Sequence, residues 1–141
     1  MIPTQHACAV PSPISSALQL SNPPAGTASF AMIPHDTEGD LAKGTMETTH
    51  WIFWNVPAIS VSLSENVKPD SSADSIVQGK NAPGVNGYMV PCPRPGATPH
   101  HYVFETYALL DISPASSRAD LLKAMEGHVI GKTIYLRLLG R

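Results

Sequence analysis

Short apolar runs separated by proline and turn residues set the pattern of this chain. Each run is short enough for a strand, and several are rich in β-branched or aromatic residues. The predicted strands are Ala17–Leu20, Ser29–Ile33, His50–Val56, His101–Leu110 and Lys132–Leu138. We expect Pro34 to end the second strand, because proline cannot donate to a ladder, and residues 34–48 to form a loop.

The polar stretch 60–87 is too long for an idle loop in a compact domain. Short strands are therefore expected near residues 61–63 and 76–78. Residues 91–99 contain four prolines and predict a rigid loop, because this proline spacing excludes a helix or a central strand.

One segment predicts a helix, over residues 117–126. Ser117 can cap its first turn, and Asp120 stands three residues later, as in a capping box. Leu121, Leu122 and Met125 form an apolar face, and Gly127 stands where a helix commonly ends in a left-handed residue.

The composition agrees with a β-rich chain. Charged residues make up 14% of the 141 residues, and there are 14 prolines, which favours strands joined by ordered loops. A chain of this length can bury a core as one domain. We therefore predict a mainly β (β-rich α+β) fold, with one or two short helices, in a single domain over residues 1–141.

Charge and hydropathy exclude several functions. The net charge is −2 and the basic residues are scattered, so the basic stripe of a nucleic-acid-binding protein is missing. No apolar run approaches the roughly 20 residues of a membrane span. The first residues lack the basic start and apolar core of a signal peptide, which predicts a cytoplasmic protein.

Cys8 and Cys92 are the two cysteines. No CxxC spacing is present, and two cysteines need histidines to form a zinc site. We interpret them as two free thiols, with a Cys8–Cys92 disulfide as the alternative.

Four positions near the ends of predicted strands carry candidate chemistry: Asp36, His50, the pair His100–His101, and Tyr102. Strand ends are where a rigid scaffold presents functional groups. Each position also has a structural interpretation: Asp36 as a turn residue, His50 as a packed histidine and Tyr102 as a core residue. Their spacing matches no catalytic motif, so these residues alone predict a β-rich binding domain with a His/Asp site.

Several segments have a recognisable order along the chain. They are SNPPAGT (21–27), SFAMIPHDTE (29–38), HWIFWNVPA (50–58), GYMVPCP (87–93) with PHHY (99–102), and ADLLKAMEGHV (119–129). This order resembles the phosphatidylethanolamine-binding family, in particular its bacterial Raf-kinase-inhibitor-like branch. The family's corresponding motifs are DPDAP, HWxxxNIPA, GYGGPCPP…PHRY and AMEGHVL.

The resemblance implies a central sheet packed on a second, smaller sheet, with a shallow anion pocket for phosphate or phosphorylethanolamine. Carried over by motif, the pocket residues are Asp36, His50, His100 and Tyr102, beside Val90 and Pro91 of the GYMVPCP segment. A phosphate monoester needs convergent donors, and histidine gains charge beside an anion. Asp36 is expected to orient an imidazole or to receive the ammonium group of the ligand.

The chain departs from the family pattern at several positions. DPDAP becomes Asp36–Gly39, Met89 and Val90 replace two glycines, and His101 replaces the arginine of HRY. The chain also starts late relative to the family, so an edge strand is expected to be missing. An exposed edge can pair with a second copy, which makes a homodimer one expected form.

The resemblance therefore predicts a non-enzymatic binding protein for small phosphorylated ligands, with no cofactor and no metal. The alternative is a regulatory protein that contacts a kinase or a protease through loops 60–87 and 91–99. An enzyme with a metal held by His50, His100 and Asp36 is the less favoured third possibility.

Overall fold

The structure of the protein, a computed structural model, describes residues 1–8, 10–39, 47–59, 62–69, 76–111 and 115–140. Within these ranges the fold is mainly β, as the sequence predicts, with a short 3₁₀ turn at Thr4–His6 and one α-helix, α1, at Arg118–Ala124. The strands are β1 (Leu18–Gln19), β2 (Ser29–Asp36), β3 (Thr48–Thr49), β4 (Phe53–Pro57), β5 (Ser62–Leu63), β6 (Val77–Gln78), β7 (His100–Leu109) and β8 (Val129–Leu139).

Two antiparallel sheets organise the described residues. The central sheet has six strands in the order β6–β4–β2–β7–β8, with β3 paired to the end of β2, and the second sheet is the pair β1–β5. The resemblance implied this division into a larger and a smaller sheet. Described residues of 91–99 form no strand, and the short strands β5 and β6 lie where the polar stretch predicted them.

Strand β2 is buried along its whole length because both faces of the central sheet are covered. One face packs Phe30 and Met32 against Trp51 and Phe53. The other face packs a second cluster that includes helix α1: Ala31, Ile33, Ile52, Trp54, Tyr107, Leu109, Leu121 and Met125. Two-sided burial explains why β2 reads as a continuous apolar run rather than an alternating one.

The prediction that Pro34 ends β2 is wrong, because the strand continues to Asp36. The Pro34 carbonyl accepts hydrogen bonds from the backbone N–H of His50 (2.9 Å) and Trp51 (3.2 Å). In a strand, the N–H and C=O of one residue point to the same edge. The proline nitrogen, which has no hydrogen to donate, therefore points into the gap between β4 and β3. The β2–β4 register ends at Met32 and the β2–β3 register starts at His35, so no ladder bond is lost.

The gap between β3 and β4 also explains why two other predicted boundaries are wrong. The strand predicted from His50 begins at Phe53 instead, because the N–H groups of His50 and Trp51 share one acceptor rather than continuing a ladder. The loop predicted over 34–48 contains the end of β2 and the first residue of β3, while positions 40–46 lie outside the described residues.

Helix α1 follows the prediction closely. The Ser117 hydroxyl accepts a hydrogen bond from the backbone N–H of Asp120 at 3.1 Å, which satisfies one otherwise unpaired donor of the first turn. Leu121 and Met125 are buried, and Leu122 packs against them. Gly127 has a φ of 78°, a left-handed conformation that glycine adopts without strain.

We expect Ser117→Ala to lower the free energy of unfolding by about 1 kcal/mol, the usual cost of losing an N-cap. Urea denaturation would measure it. Ser116→Ala is the matched control, because its exposed hydroxyl donates to the Asp120 side chain rather than capping a backbone N–H, and it should cost less than about 0.5 kcal/mol. Equal effects of the two variants would contradict the capping role.

The interpretation of the cysteines as free thiols is wrong: Cys8 and Cys92 form a disulfide. The N-terminal segment folds back so that the Cys8 N–H donates to the Pro91 carbonyl at 3.1 Å. The Tyr88 hydroxyl also donates to the His6 carbonyl at 2.6 Å. These contacts bring the two cysteine Cα atoms to 5.3 Å, within the range for a disulfide.

Among the described residues, no helix has the length and hydropathy that crossing a bilayer requires.

Candidate functional site

Four of the sequence-predicted residues meet at one end of the central sheet. Asp36 ends β2 and lies opposite Tyr102 of β7 in the strand register. His100 begins β7, and His50 lies between β3 and β4. All four residues are nearly buried, with exposed fractions of 4% for Asp36, 6% for His50, 8% for His100 and 3% for Tyr102. We call these four residues the polar cluster.

Asp36 and His100 form a direct pair. His100 Nδ1 lies 2.8 Å from Asp36 Oδ2, and since a carboxylate only accepts, the imidazole donates from Nδ1. The other carboxylate oxygen, Oδ1, accepts from the backbone N–H of Glu38 at 2.9 Å. Asp36 therefore fixes the orientation and the tautomer of His100, which leaves Nε2 as the nitrogen available to a ligand.

His50 is oriented by the backbone. Its Nδ1 donates to the Met89 carbonyl at 3.0 Å, and the Met89 N–H donates to the His50 carbonyl at 2.7 Å. His50 Nε2 lies 3.9 Å from Asp36 Oδ2, too far for a hydrogen bond. Burial lowers the pKa of His50 below its ordinary value, and the bond to Met89 and the Asp36 charge only partly oppose this effect.

Tyr102 lies between the two imidazoles. Its ring contacts His50 edge-on, with centroids 5.2 Å apart, and lies nearly parallel to the His100 ring at 6.3 Å. The buried hydroxyl makes no hydrogen bond of normal geometry with any described residue. Burial, followed by the negative charge of Asp36, raises the pKa of Tyr102. The hydroxyl therefore stays protonated and can serve as a donor.

The two remaining predicted residues lie beside the cluster. Val90 and Pro91 follow Met89 directly, Val90 half-buried and Pro91 buried. The Pro91 carbonyl accepts from Cys8, so the disulfide-linked N-terminal segment holds the stretch that orients His50. The importance of the Met89 carbonyl was missed from the sequence, because a backbone acceptor carries no residue-type signal.

Two departures from the family pattern contact each other. His101 Nδ1 lies 2.7 Å from Glu38 Oε1, and the His101 backbone N–H donates to Glu38 Oε2 at 2.7 Å. Hydrogen bonds from His101 are the main cause that lowers the pKa of Glu38, against the opposing effect of burial. Glu38 and His101 therefore connect β2 to β7 at the outer side of the polar cluster.

The third possibility from the sequence was a metal held by Asp36, His50 and His100. Within the described ranges, no group of three or more His, Cys, Asp or Glu side chains is arranged to hold a metal ion. The direct hydrogen bond between Asp36 and His100 makes the carboxylate a partner of the imidazole rather than a separate ligand.

Two antiparallel sheets and a buried His–Asp–Tyr cluster at strand ends define a β-rich ligand-binding protein. A family model described as phosphatidylethanolamine-binding protein matches residues 1–136. The chain belongs to this family, as its motifs indicated.

Relatives agree along nearly the whole chain. A UPF0098 protein of Methanothermobacter thermautotrophicus is 39% identical over 145 residues, covering 99% of this chain and 91% of the relative. The crystal structure of a phosphatidylethanolamine-binding protein homologue from Chlamydia trachomatis has a TM-score of 0.86 at 28% identity, covering 99% of this chain and 89% of that one. Escherichia coli YbcL, a member of the same family, has a TM-score of 0.83 at 25% identity, covering 100% and 91%.

Proposed function

We propose that the polar cluster binds phosphate or a small phosphorylated amine such as phosphorylethanolamine. Membership of the family makes a ligand-binding protein the general class. The observation that carries the specific proposal is the Tyr102 hydroxyl, which is buried near the Asp36 carboxylate but makes no hydrogen bond of normal geometry with a described residue. Buried polar groups are normally paired, so an unpaired donor beside two imidazoles favours a ligand that accepts hydrogen bonds.

The orientation of the histidines indicates that an anion would bind together with the uptake of a proton by the protein. Each ring uses Nδ1 within the protein, so Nε2 must become protonated before it can donate to a phosphate oxygen. Burial lowers the pKa of His50 and so favours its neutral form in the free protein, whereas a nearby anion would favour its charged form. Phosphate binding is therefore coupled to proton uptake at His50.

Asp36 is better suited to orient His100 than to receive an ammonium group. Both of its oxygens already accept hydrogen bonds, one from His100 and one from the Glu38 backbone. A negative charge beside a phosphate is tolerable because it stabilises the protonated imidazole between them. The near-complete burial of the four side chains favours a small head group over a bulky ligand.

Calorimetric titration with O-phosphorylethanolamine at pH 6 and pH 8 tests the proposal. We expect saturable binding at pH 6 that weakens about tenfold or more at pH 8, because deprotonation of His50 Nε2 removes a charged donor; a factor of ten corresponds to about 1.4 kcal/mol. The second ionisation of the phosphate, near pH 6, acts in the opposite direction. Binding heats should differ between buffers of different ionisation enthalpy.

The matched variants are His50→Ala and His101→Ala. His50→Ala should weaken binding at pH 6 at least tenfold and remove most of the pH dependence, whereas half-exposed His101, whose ring contacts Glu38 instead, should change affinity less than threefold. Unchanged affinity in a folded His50→Ala protein, or no binding by the wild type at either pH, would overturn the assignment.

The remaining sequence predictions concern catalysis, protein partners, oligomeric state and location. The family consists generally of non-catalytic binding proteins, which supports a binding role over an enzyme. A kinase or protease partner, a homodimer and a cytoplasmic location stay predictions. The disulfide counts against a cytoplasmic location unless the source is a hyperthermophile, because disulfides persist mainly in oxidising compartments or in intracellular proteins of hyperthermophiles.

A further inference from the structure

A second site lies on the same face of the central sheet as the polar cluster. Residues paired in register across β2, β7 and β8 share a face: Asp36, Tyr102 and Arg137 form one such row, and Pro34, Phe104 and Tyr135 form the next. The following rows belong to a cavity of about 610 Å³, which none of the four cluster residues lines.

The cavity has a floor and a wall of different origin. Its floor is the sheet, through Phe30, Met32, Phe104, Thr106 and Ala108, and its wall is the segment 17–24 that contains β1. The volume lies within the range of about 300–1,000 Å³ typical of small-molecule sites.

Gly131 closes one end of the cavity. A Cβ atom at this position would come within 2.8 Å of Pro24 Cγ, so the absence of a side chain lets the wall approach β8. The wall therefore contacts β8 at Gly131, and the cavity is a cleft between the wall and the sheet.

The lining of the cavity favours an uncharged ligand. Lys132 is the one lining residue with a formally charged side chain, and its ammonium is held on the opposite face of the sheet. There it donates to Glu105 Oε1 at 2.9 Å and lies 4.9 Å from the Tyr107 ring centroid. Arg137 lies outside the lining and stacks on Tyr135, with Cζ 3.9 Å from the ring centroid.

Aromatic and polar groups favour a particular shape of ligand. Phe104 and Tyr135 meet edge to face, with centroids 6.1 Å apart, and Tyr135 is 46% exposed at the cavity margin. Thr106 and Thr133, paired across β7 and β8, offer hydroxyl groups from the same rows. The wall adds the polar side chains of Gln19, Ser21 and Asn22 to these groups. The lining therefore suits an uncharged aromatic ring system that also carries hydrogen-bonding groups.

We propose that this cavity is a second binding site, separate from the polar cluster, for a small uncharged and mainly aromatic molecule. It does not depend on phosphate binding. The two sites share Phe104 as a neighbour, because Phe104 lines the cavity and packs against the cluster containing Tyr102.

The probe for the test is N-phenyl-1-naphthylamine, an uncharged aromatic dye whose fluorescence rises in apolar surroundings. We expect saturable binding with one site per chain. Thr133→Phe should weaken it at least tenfold, because position 133 is exposed on an edge strand and its side chain shares the face of Thr106. Ala17→Phe, an exposed position on the wall, should act in the same way if Thr133→Phe perturbs the strand.

Leu136→Phe is the control for surface binding. Leu136 is 51% exposed on the same strand but pairs with Val103, on the opposite face, and should leave the affinity within twofold. His50→Ala and saturating phosphate should also leave it unchanged, which separates this site from the phosphate site. Equal losses in Leu136→Phe and Thr133→Phe, or no saturable binding by the wild type, would overturn the proposal.

Discussion

Reduction of the Cys8–Cys92 disulfide should lower the free energy of unfolding by about 4 kcal/mol. The bond joins residues 84 positions apart, so it removes a large loop-closure entropy from the unfolded chain. Urea denaturation with and without a thiol reductant measures the difference. This is the largest effect that we expect from a single change in the molecule.

The double variant Cys8→Ser/Cys92→Ser provides the control. It should match the reduced wild type and show no response to reductant, which separates loss of the bond from other effects of the thiol reagent. A reduced wild type that unfolds at the same urea concentration as the oxidised protein would contradict the prediction.

Asp36→Ala should lower the free energy of unfolding by about 3 kcal/mol. The substitution leaves two donors without their acceptor: the buried His100 Nδ1 and the partly buried Glu38 backbone N–H. Each unpaired buried donor costs about 1–3 kcal/mol, and more where the lost partner was charged. Asp36 itself is 4% exposed, so water cannot readily replace the carboxylate. Urea denaturation at pH 7 is the measurement.

Glu38→Ala is the matched control for Asp36→Ala. This carboxylate also binds a histidine of β7, but the two side chains are 38% and 45% exposed, and exposed pairs contribute at most about 1 kcal/mol. The variant should therefore cost clearly less. If the two alanine substitutions destabilise the protein equally, the Asp36–His100 pair is not the structural centre of the site.

Much of the fold was predictable because local patterns agreed with it. The caps and apolar face of α1 and the apolar run of β8 depend on neighbouring residues alone. The short strands β5 and β6 were predicted from the length of the polar stretch that contains them. The errors at Pro34 and at the start of β4 have one common cause. A proline is tolerated inside β2 only because the edge that it faces is a gap between two partner strands, and this arrangement depends on tertiary pairing.

The candidate site was predictable to a different degree. The resemblance identified Asp36, His50, His100 and Tyr102 by motif. The register of β2 with β7 brings Asp36, His100 and Tyr102 together, and His50 joins them from the segment between β3 and β4. The Met89 carbonyl that orients His50 could not be predicted, since every residue offers the same backbone acceptor. The disulfide was equally hidden, because it depends on a turn at the N-terminus that returns Cys8 to the loop of Cys92.

The outer edge of β8 affects how the protein behaves at high concentration. Within the described residues β8 pairs with no strand other than β7, and Ile134, Tyr135, Leu136 and Leu138 are 40–58% exposed. The Ile2 N–H donates to the Leu138 carbonyl at 3.0 Å and so covers the last part of this edge. The rest of the edge offers backbone groups and apolar side chains to a second copy. Self-association of this protein should therefore increase with its concentration.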